Sequence, residues 1–494
     1  MSNSNTTKSL LVTFGAVLAL AGCGNGADRV ASPGEGALPP APPPVTPPPP
    51  VTPPPTTPPP TSGPAADCAT GFVNAGLVKD GTIRACRLPE VITGNLVVPK
   101  RDGTVYVISG RVAVGVDLGG DAKAPRAGGA KGVLTVEPGV TLIGNSGRDY
   151  LVVNRGSQIL AEGTKDAPIV FTARSRFEGT SPADAKGLWG GVVLVGRAPI
   201  NQCPGTTVSG TAQCESTIEG TDALYGGNDT NDNSGTLRYV RVMHSGYELA
   251  PNNELNGITL GGVGKGTTFE YVQVHNSSDD GIEWFGGSVN GRYIVVTGAD
   301  DDSLDTDHGW NGALQFGIVM QDKSGDRANE WSSINRQPYS NPKVANFTFI
   351  ANNTNGRAIF ELNQGTQAEV YNSVLTRAAG GTGQADLCLR IDPANADTAA
   401  KFQSVYMSCP RPWDAADARA KAAFEAGANN TANGTSTLQN LFINGANETG
   451  VTAFANLAGV NSFFRNVTYI GGVKDAGDTW WQGWTCGLTA DKPC

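Results

Sequence analysis

Short runs of alternating apolar and polar residues recur along the chain from about residue 100 onward. Between residues 132 and 172, GVLTVEPGVTLIGN is followed by DYLVVNRGSQILAEGTKDAPIVFTAR, and Gly, Pro or Asn interrupts each run after about four to six residues. No hairpin signal of the Asn-Gly kind joins the runs at regular intervals. The pattern predicts strands with a repeat of roughly twenty to thirty residues, which is typical of a solenoid and not of a sandwich.

Several of these runs can be aligned with one another. GTLRYVRVMHSG (235–246) is similar to GTTFEYVQVHNSS (266–278), and GRYIVVTGADD (291–301) repeats the theme with Tyr293 in the place of Tyr271. VANFTFIANN, QAEVYNSVLTRA, LQNLFINGANE and SFFRNVTYIGG continue it downstream. We therefore expect parallel coils, each of which buries the apolar face of the next.

The whole pattern resembles the right-handed parallel β-helices of the pectate-lyase-like superfamily. More narrowly, it is similar to a group of bacterial exported or surface proteins that combine LTVEPGVTLIG, PIVFT, GLWGGVVLVGRAPIN, YGGNDTNDNSGTLRYVRV and NELNGITLGGVGKGTTFEYVQV. The resemblance covers most of residues 100–380. It implies an all-β fold, a right-handed parallel β-helix with long loops over residues 65–494, and it implies no settled activity.

Two segments near the end of the chain depart from the coil pattern. WDAADARAKAAFEAGANN is rich in alanine and predicts a short inserted helix near residues 413–427, with Asp414 as its N-cap. We expect the tryptophan-rich WWQGWTCG (480–487) to cover the open edge of the last coil. Exposed stacking on a sugar is the alternative, because aromatic faces suit both uses.

The N-terminal residues predict export. Lys8 precedes the apolar run LLVTFGAVLALAG, which suits a secretory signal and is too short to span a bilayer. The following LAGC resembles the lipobox of bacterial lipoproteins, so residues 1–22 are a predicted signal peptide and Cys23 the lipid-modified residue. An ordinary signal followed by a chance cysteine is the alternative. No aspartate follows Cys23, so we expect an outer-membrane lipoprotein on the periplasmic or cell-surface face.

A tether and a spacer are predicted between the anchor and the β-helix. Residues 23–37 form the lipidated tether, and LPPAPPPVTPPPPVTPPPTTPPPTSGP (38–64) is too rich in proline for a helix or a sheet. Polyproline II geometry makes this segment a semi-rigid spacer, whereas a flexible linker would change its reach but not its role.

Charge and cysteine content narrow the classes of partner. The formal net charge of -9 argues against nucleic acid, which needs a basic face. GGVGKGTT (261–268) lacks the Lys-Thr pair of a phosphate-binding loop, so no nucleotide is expected. With Cys23 set aside, eight of the nine cysteines remain in the exported chain and predict disulfides, and among their 105 possible pairings we favour the local ones. These are Cys68 with Cys86, Cys203 with Cys214, Cys388 with Cys409, and Cys486 with Cys494.

The most unusual stretch is acidic. Between Asp279 and His308, eight carboxylates occur with a single arginine, Arg292. DDGIE (279–283) and DDSLD (301–305) align without a gap, which predicts three acidic pairs on adjacent coils about 4.8 Å apart. One coil earlier, Asn256 and Thr259 are expected beneath them.

Such stacking needs compensation, because two carboxylates at this distance repel by about 3 to 4 kcal/mol at an effective dielectric of 20. Arg292 alone cannot neutralise eight acids, so protons, bound cations or a basic ligand must supply the remaining positive charge. Oxygen ligands in an extracytoplasmic setting favour Ca²⁺. The alternative is that these acids cap turns and face solvent. The predicted metal ligands are Asp279, Asp280, Glu283, Asp301, Asp302, Asp305 and Asp307.

Catalysis is a further alternative, because the superfamily contains polysaccharide lyases and polygalacturonases. Asp280, Asp302 and His308 resemble the aspartates and the His-Gly dipeptide of the latter, but the spacing is compressed and the other motifs are incomplete. His308 shares this stretch with His244 and His275, and their separations do not match a whole number of coils. A zinc site through these three is therefore less expected than hydrogen-bonded turn histidines.

Two functions remain open from the sequence. The first is a surface binding or structural module whose calcium-organised acidic face engages carbohydrate or an envelope partner, with the membrane as a second partner through the lipid. The second is a polysaccharide-degrading enzyme, a lyase or glycoside hydrolase, that uses the stacked carboxylates. The missing catalytic motifs favour the first, and fold analogy alone decides nothing about chemistry.

Overall fold

Short strands stack in register through most of the described chain. The computed structural model describes residues 63–250, 253–354, 357–377, 386–392 and 394–494, which all belong to the unit Pro59–Cys494. The predicted signal peptide, the lipidation site Cys23 and nearly all of the proline-rich spacer lie outside the described residues.

The described residues contain 31 strands and four short helices. The first strands in chain order are β1 (Val73–Val78), β2 (Ile83–Arg87), β3 (Val91–Ile92), β4 (Gly94–Val98), β5 (Thr104–Ile108), β6 (Arg111–Val114), β7 (Gly132–Val136), β8 (Thr141–Gly144), β9 (Tyr150–Val153), β10 (Gln158–Glu162), β11 (Ile169–Ala173), β12 (Gly191–Val195), β13 (Ser216–Thr217), β14 (Leu224–Tyr225), β15 (Gly235–Met243), β16 (Glu248–Ala250) and β17 (Asn253–Glu254). The remaining strands are β18 (Ile258–Gly261), β19 (Thr268–His275), β20 (Ile282–Phe285), β21 (Gly291–Thr297), β22 (Leu304–Asp307), β23 (Ala313–Met320), β24 (Asn329–Trp331), β25 (Lys343–Ala351), β26 (Phe360–Leu362), β27 (Gln367–Tyr371), β28 (Val374–Arg377), β29 (Leu389–Ile391), β30 (Ala399–Gln403) and β31 (Tyr406–Ser408). The helices are α1 (Arg174–Phe177), α2 (Ala418–Glu425), α3 (Ala446–Thr449) and α4 (Leu457–Val460).

Two parallel sheets run along the stack. A 17-stranded sheet includes β15, β19, β21, β23 and β25, and a 10-stranded sheet runs from β3 to β29 through β18, β20 and β22. Val272 pairs with Ile294 in the first sheet, and Ile282 pairs with Leu304 in the second. Only short hairpins, such as β13 with β14, are antiparallel among the described strands. The predicted all-β parallel β-helix is confirmed.

Alternation along each strand separates the core from the outer face of the 10-stranded sheet. Ile258, Ile282 and Leu304 stack in consecutive coils and are fully buried inside the solenoid. Because neighbouring side chains point to opposite faces of a sheet, Glu283 and Asp305 point outward from the same strands. The apolar repeat that forms the core therefore also aligns the acids outside it.

A column of aromatic residues bends the long strands of the 17-stranded sheet. Tyr239, Tyr271, Tyr293 and Phe316 have φ angles of 51°, 54°, 61° and 64°, and the strand pairing skips each of them. Positive φ is costly for a bulky side chain. Their rings stack face to face, with centroids 4.3, 4.3 and 5.1 Å apart, and this contact stabilises the bend.

The tryptophan-rich segment covers this column and not the edge of the last coil, so that expectation was wrong. The indole of Trp484 is fully buried edge-on against Tyr239 and Tyr271, at 5.9 Å from each ring centroid. Gln273 exchanges two hydrogen bonds with the backbone of Cys486, of 2.6 and 3.0 Å. The segment packs in one apolar cluster with outward-facing residues of the middle coils, Val295 and Ile318.

The inserted helix exists but begins later than expected. Helix α2 is capped by Asp417, whose side chain accepts a hydrogen bond of 2.9 Å from Ala420 N, whereas Asp414 accepts from Ala416 N in the preceding turn. Phe424 packs from α2 onto Phe402, so the helix covers the late coil that contains β30. With eight residues α2 is the longest helix of the described ranges, and none of them could cross a lipid bilayer.

All four predicted local disulfides are present. They join Cys68 to Cys86, Cys203 to Cys214, Cys388 to Cys409, and Cys486 to Cys494. Each closes a loop of between 8 and 21 residues, so the bridges fix individual turns and do not tie distant coils together.

The packing of Trp484 leads to a first prediction. We expect Trp484→Ala to lower the free energy of unfolding by about 3 to 5 kcal/mol, because it removes a buried ring from the aromatic column. Urea denaturation followed by circular dichroism would measure the change. Val208→Ala, at a side chain that is 67% exposed, serves as the control and should change stability by less than about 0.5 kcal/mol. Equal stability of the two variants would contradict the role given to the tail.

Candidate metal centre in an acidic cleft

The outer face of the 10-stranded sheet carries a ladder of carboxylates. Strand register places Thr259, Glu283, Asp305, Glu330 and Glu361 in one column on five consecutive coils. Their Cα atoms are spaced by the distance between paired strands, about 4.8 Å. The predicted pairing of Glu283 with Asp305, and of Thr259 beneath them, is confirmed by this register.

A second set of acids lies where the coils turn into these strands. The backbone N–H of Asp302 donates to Asp280 Oδ1 at 2.9 Å, and the N–H of Arg327 donates to Asp302 Oδ1 at 2.7 Å. Each coil thus binds the carboxylate of the coil before it, as expected for Asp280 and Asp302. One coil earlier, Asn256 Nδ2 donates to Glu283 Oε2 at 2.6 Å.

These acids line a cleft of about 600 Å³, which we call the acidic cleft. Eleven of its twelve lining residues are carboxylates, and the other is Ser278. The acids are Glu219, Glu248, Glu254, Asp279, Asp280, Glu283, Asp300, Asp301, Asp302, Asp305 and Glu330. This concentration of like charge requires compensation, by bound protons or by cations close by.

One arginine neutralises the end of the cleft nearest the later coils. Arg327 Nη1 lies 3.3 Å from Asp302 Oδ2, 2.7 Å from Asp326 Oδ2 and 2.6 Å from Glu330 Oε2, and its Nε lies 2.9 Å from Glu361 Oε2. The register puts Arg327 in the column of Asp280 and Asp302, one coil further on. A guanidinium therefore stands where the two earlier coils have an aspartate.

A lysine neutralises one side of the cleft. Lys186 Nζ lies 2.5 Å from Asp300 Oδ1 and 3.0 Å from Asp322 Oδ2. The Lys186 side chain is 9% exposed, whereas those of Asp300 and Asp322 are 34% and 46% exposed, so the lysine is buried while its partners remain partly in solvent. No ion pair within 4 Å is formed by Asp279, Asp280, Glu283 or Asp305 among the described residues.

The remaining acids hold their protons more tightly than ordinary carboxylates do. Burial and then the charge of Asp301 raise the pKa of Asp279 to about 8, and burial and then Glu254 raise the pKa of Glu219 to about 7. Burial, followed by repulsion from neighbouring carboxylates, raises the pKa of Asp280, Glu283 and Asp305 well above the ordinary value. Deprotonation of this half of the cleft is therefore unfavourable without an added cation.

The same carboxylates have the spacing of a cation site. Oxygens of Asp280, Glu283 and Asp305 lie within 4.8 Å of one another, and so do oxygens of Asp279, Asp280 and Asp301. Ca²⁺ binds oxygens at 2.3 to 2.6 Å, so ligands on opposite sides of one ion are separated by about this distance. Asp280 belongs to both groups, which places them side by side.

Two further predicted ligands lie outside these two groups, although oxygens of Asp302 lie within 4.8 Å of oxygens of Asp301 and Asp326. Asp302 is bound by Arg327, and burial still raises its pKa although the guanidinium opposes the shift. Asp307 lies beyond the cleft lining, where its Oδ1 accepts a 2.7 Å hydrogen bond from His308 N. Burial raises the pKa of Asp307 to about 7.

The histidines and Arg292 do not reach the acidic cleft. His308 lies at the far end of β22 from Asp302, and its Nδ1 is 2.5 Å from the hydroxyl of Tyr225. His244 and His275 contact each other edge to face, 5.7 Å apart, but not His308. Arg292 lies on the other sheet, where its Nη2 donates to Phe463 O. The structure thus does not bring together the three histidines, nor His308 with the aspartates of the catalytic alternative.

Several acids of the cleft were missed from the sequence. Glu219 and Glu254 come from the hairpins β13–β14 and β16–β17, which have no fixed spacing from the coils. Glu330 and Arg327 could have been found, because GDRANEW aligns with the preceding GADDDSLD once a longer coil is allowed. The fold therefore brings more acids into the cleft than the acidic stretch of the sequence alone indicates.

Comparison with known proteins supports the architecture. A family model described as a pectate-lyase like beta helix domain matches residues 124–485. This range contains the acidic cleft and most of the coils. No curated protein and no solved structure matches the chain significantly.

The raised pKa values predict how stability depends on pH when divalent cations are chelated. A carboxylate whose pKa is higher in the folded state stabilises the fold while protonated, and that contribution is lost as the pH rises through the folded pKa. With Asp301 at about 6, Glu219 at about 7 and Asp279 at about 8, the melting temperature in chelator should fall between pH 5 and pH 8. Differential scanning calorimetry would measure the slope.

Glu283→Gln tests whether the carboxylates of the acidic cleft cause this pH dependence, because it keeps the side-chain shape and removes one charge. We expect it to reduce the fall in melting temperature over the same pH range. A melting temperature that stays constant or rises from pH 5 to pH 8 in chelator would contradict the inference that the carboxylates of the cleft destabilise the fold when no cation is bound.

Proposed function

The chain belongs to the family of pectate-lyase-like β-helix domains, and we propose that it is a binding module whose acidic cleft holds Ca²⁺ and engages carbohydrate through it. The observation that carries this proposal is a buried carboxylate oxygen without a donor. In the part of the chain that the structure describes, Asp305 Oδ1 is inaccessible to solvent and accepts no hydrogen bond, and the same holds for Asn256 Oδ1.

An orphaned oxygen of this kind is costly to bury, by about 1 to 3 kcal/mol or more for a charged group. Asp305 stands against Asp280 and Glu283, and Asn256 donates to Glu283 through the other atom of its amide. Two oxygens that lack donors thus lie beside two groups of acids with ligand spacing. A cation in this position satisfies the oxygens and removes the repulsion together.

Arg327 supports the proposal from within the protein. Its guanidinium already compensates Asp302, Asp326, Glu330 and Glu361 in the later coils. In the earlier coils the same columns hold Asp280, Glu283 and Asp305, which form no ion pair within 4 Å among the described residues. We infer that a bound ion does there what Arg327 does one coil further along.

The donor set favours Ca²⁺ among the common cations. The ligands are carboxylate oxygens with an amide oxygen nearby, which hard cations prefer, and Ca²⁺ accepts six to eight of them in irregular geometry. Zinc prefers nitrogen and sulfur, and no histidine lines the cleft.

Carbohydrate is the proposed ligand because the cleft is open and a held Ca²⁺ has coordination positions to spare. A volume of about 600 Å³ is within the usual range for small-molecule sites. Sugar hydroxyl and carboxylate oxygens are suitable ligands for a Ca²⁺ whose remaining positions face the cleft. An envelope protein that offers surface oxygens is the alternative partner.

A polysaccharide-degrading enzyme is the second candidate function, and one observation favours it. A carboxyl group with a pKa near 8, such as that of Asp279, keeps a proton at neutral pH and could protonate a leaving oxygen. His308 and Asp302 do not assist, since Tyr225 and Arg327 hold them.

The N-terminal segment supports a location for this module. We propose that Cys23 is lipidated and that the proline-rich spacer holds the β-helix away from the outer membrane, on its periplasmic or outward face.

The calcium site and its ligand can be tested together. In calorimetric titration we expect Ca²⁺ to bind the chelated protein and to raise its melting temperature. Asp305→Asn should weaken Ca²⁺ binding roughly tenfold or more while making the chelated protein more stable, because it removes both a ligand and a repulsive charge. Asp102→Asn, at an exposed acid in an early coil, is the matched control and should change neither quantity.

The carbohydrate is then sought with a panel of neutral and acidic oligosaccharides, in Ca²⁺ and in chelator. Calcium-dependent binding without new reducing ends or unsaturated products supports the binding module. Product formation that Asp279→Asn abolishes would establish the enzyme in its place. Absence of Ca²⁺ binding would refute the proposed centre.

The anchor leads to a separate prediction. In a bacterial host that processes lipoproteins, the wild-type chain should fractionate with membranes and take up a radiolabelled fatty acid. Cys23→Ser should appear in the soluble fraction without label. An unlabelled wild-type protein would leave the ordinary secretory signal as the correct interpretation.

A further inference from the structure

A second cleft lies at the opposite end of the same strands and has the opposite chemistry. It encloses about 530 Å³, and its lining includes Lys265, Asn290, Asn311, Tyr339 and Phe463; we call it the donor groove. Strands β20 and β22 separate it from the acidic cleft, because Asp280 and Asp302 precede these strands and Asn290 and Asn311 follow them.

Two glycines form part of the groove lining. Gly287 and Gly309 lie two residues beyond the paired Phe285 and Asp307, with φ angles of 85° and 86°. A Cβ on Gly287 would come within 2.5 Å of Val263 O, so a side chain cannot be added there without moving backbone. Glycine is therefore required where the Gly287 turn packs against the preceding coil.

Two of the three asparagines that line the groove, Asn290 and Asn311, are oriented by the protein. Asn290 Oδ1 accepts a hydrogen bond of 2.9 Å from Ala313 N, and Asn311 Oδ1 accepts one of 3.1 Å from Lys343 Nζ. Each amide thus uses its acceptor inside the fold. The Nδ2 groups, which are donors only, remain for a ligand in the groove.

Cations lie at and behind the groove, and among the described residues no carboxylate lines it. Lys265 is exposed at the lining, and Lys343 lies behind Asn311. The guanidinium of Arg292 lies 4.0 Å from the ring centroid of Phe463, another lining residue, and its Nε lies 3.6 Å from Glu270 Oε1. A carboxylate is bonded to one lining side chain, since Asp397 accepts from the Tyr339 hydroxyl at 2.7 Å.

Two aromatic side chains complete the lining. Tyr339 is held in place by its bond to Asp397, and Phe463 by its stacking with Arg292. Aromatic faces beside hydrogen-bond donors suit a ligand that has both C–H surfaces and polar oxygens, as a sugar ring does. The cations add a preference for negative charge.

From these contacts we propose that the donor groove binds a saccharide that carries an oxyanion, such as a sulfate or phosphate ester. The oxyanion accepts from Lys265 Nζ and from the Nδ2 groups of Asn290 and Asn311, and the sugar ring lies against Tyr339 and Phe463. The groove contains no part of the calcium centre, so this binding does not depend on Ca²⁺.

The net charge of the protein makes this specificity testable. With a formal charge of -9 the chain as a whole repels polyanions, so attraction to one has to come from a local site. Dextran and dextran sulfate are a matched pair of neutral and sulfated sugar polymers, and inorganic polyphosphate supplies oxyanions without a sugar. Binding of each to the intact protein would be measured by calorimetry in chelator at about 0.15 M salt.

We expect saturable binding of dextran sulfate and at least tenfold weaker binding of dextran and of polyphosphate. The double variant Lys265→Ala, Asn311→Ala should weaken dextran sulfate binding at least tenfold, whereas Lys123→Ala, at an exposed lysine elsewhere, should not. Asp305→Asn should leave dextran sulfate binding unchanged, so a failure of the calcium centre and a failure of the donor groove can be told apart.

Three results would overturn the inference. The first is no saturable binding of dextran sulfate by the wild-type protein. The second is equal binding by the double variant and the wild type. The third is equal affinity for polyphosphate and dextran sulfate, which would make the ligand an oxyanion alone and remove the sugar from the site.

Discussion

Parallel stacking places equivalent residues of successive coils about 4.8 Å apart, and the rest of the structure depends on this constraint. Inside the solenoid it is favourable, because Ile282 and Leu304 bury each other. Outside, the same register forces Asp305 against Glu283 on one side and Glu330 on the other. Residues on the opposite face of these strands are aligned from coil to coil in the same way. The acidic cleft is therefore inseparable from the packing that holds the coils together.

The register was predictable because one coil repeats without a gap. DDGIE and DDSLD are 22 residues apart, so pairing Glu283 with Asp305 needed only the period and the direction of the strands. Glu219 and Glu254 were not predictable, since hairpins of irregular length bring them to the cleft. The neutralisation by Arg327 was missed because the later coil is longer, which hides its alignment with Asp302.

The outer faces were harder to predict than the interior. Tyr239, Tyr271 and Tyr293 have the sequence signature of ordinary strand residues, yet they adopt positive φ and form a bend. Only their mutual stacking and the cover by Trp484 explain why this conformation is tolerated. Such contacts join segments that are distant in the sequence, so no local sequence pattern predicts them. The donor groove was missed for the same reason, as Phe463 reaches Asn290 and Asn311 only through the fold.

The bond between Gln273 and Cys486 spans 213 positions of the chain, whereas the coils beneath it pair over a few tens. Closing a contact of such separation before its neighbours exist is entropically expensive. Coil stacking can propagate from one turn to the next, but the tail has no surface to bind until several turns with their tyrosines are in place. We therefore expect Trp484 to dock late in folding. Its binding surface exists only once the coils that carry the tyrosines have reached the correct register.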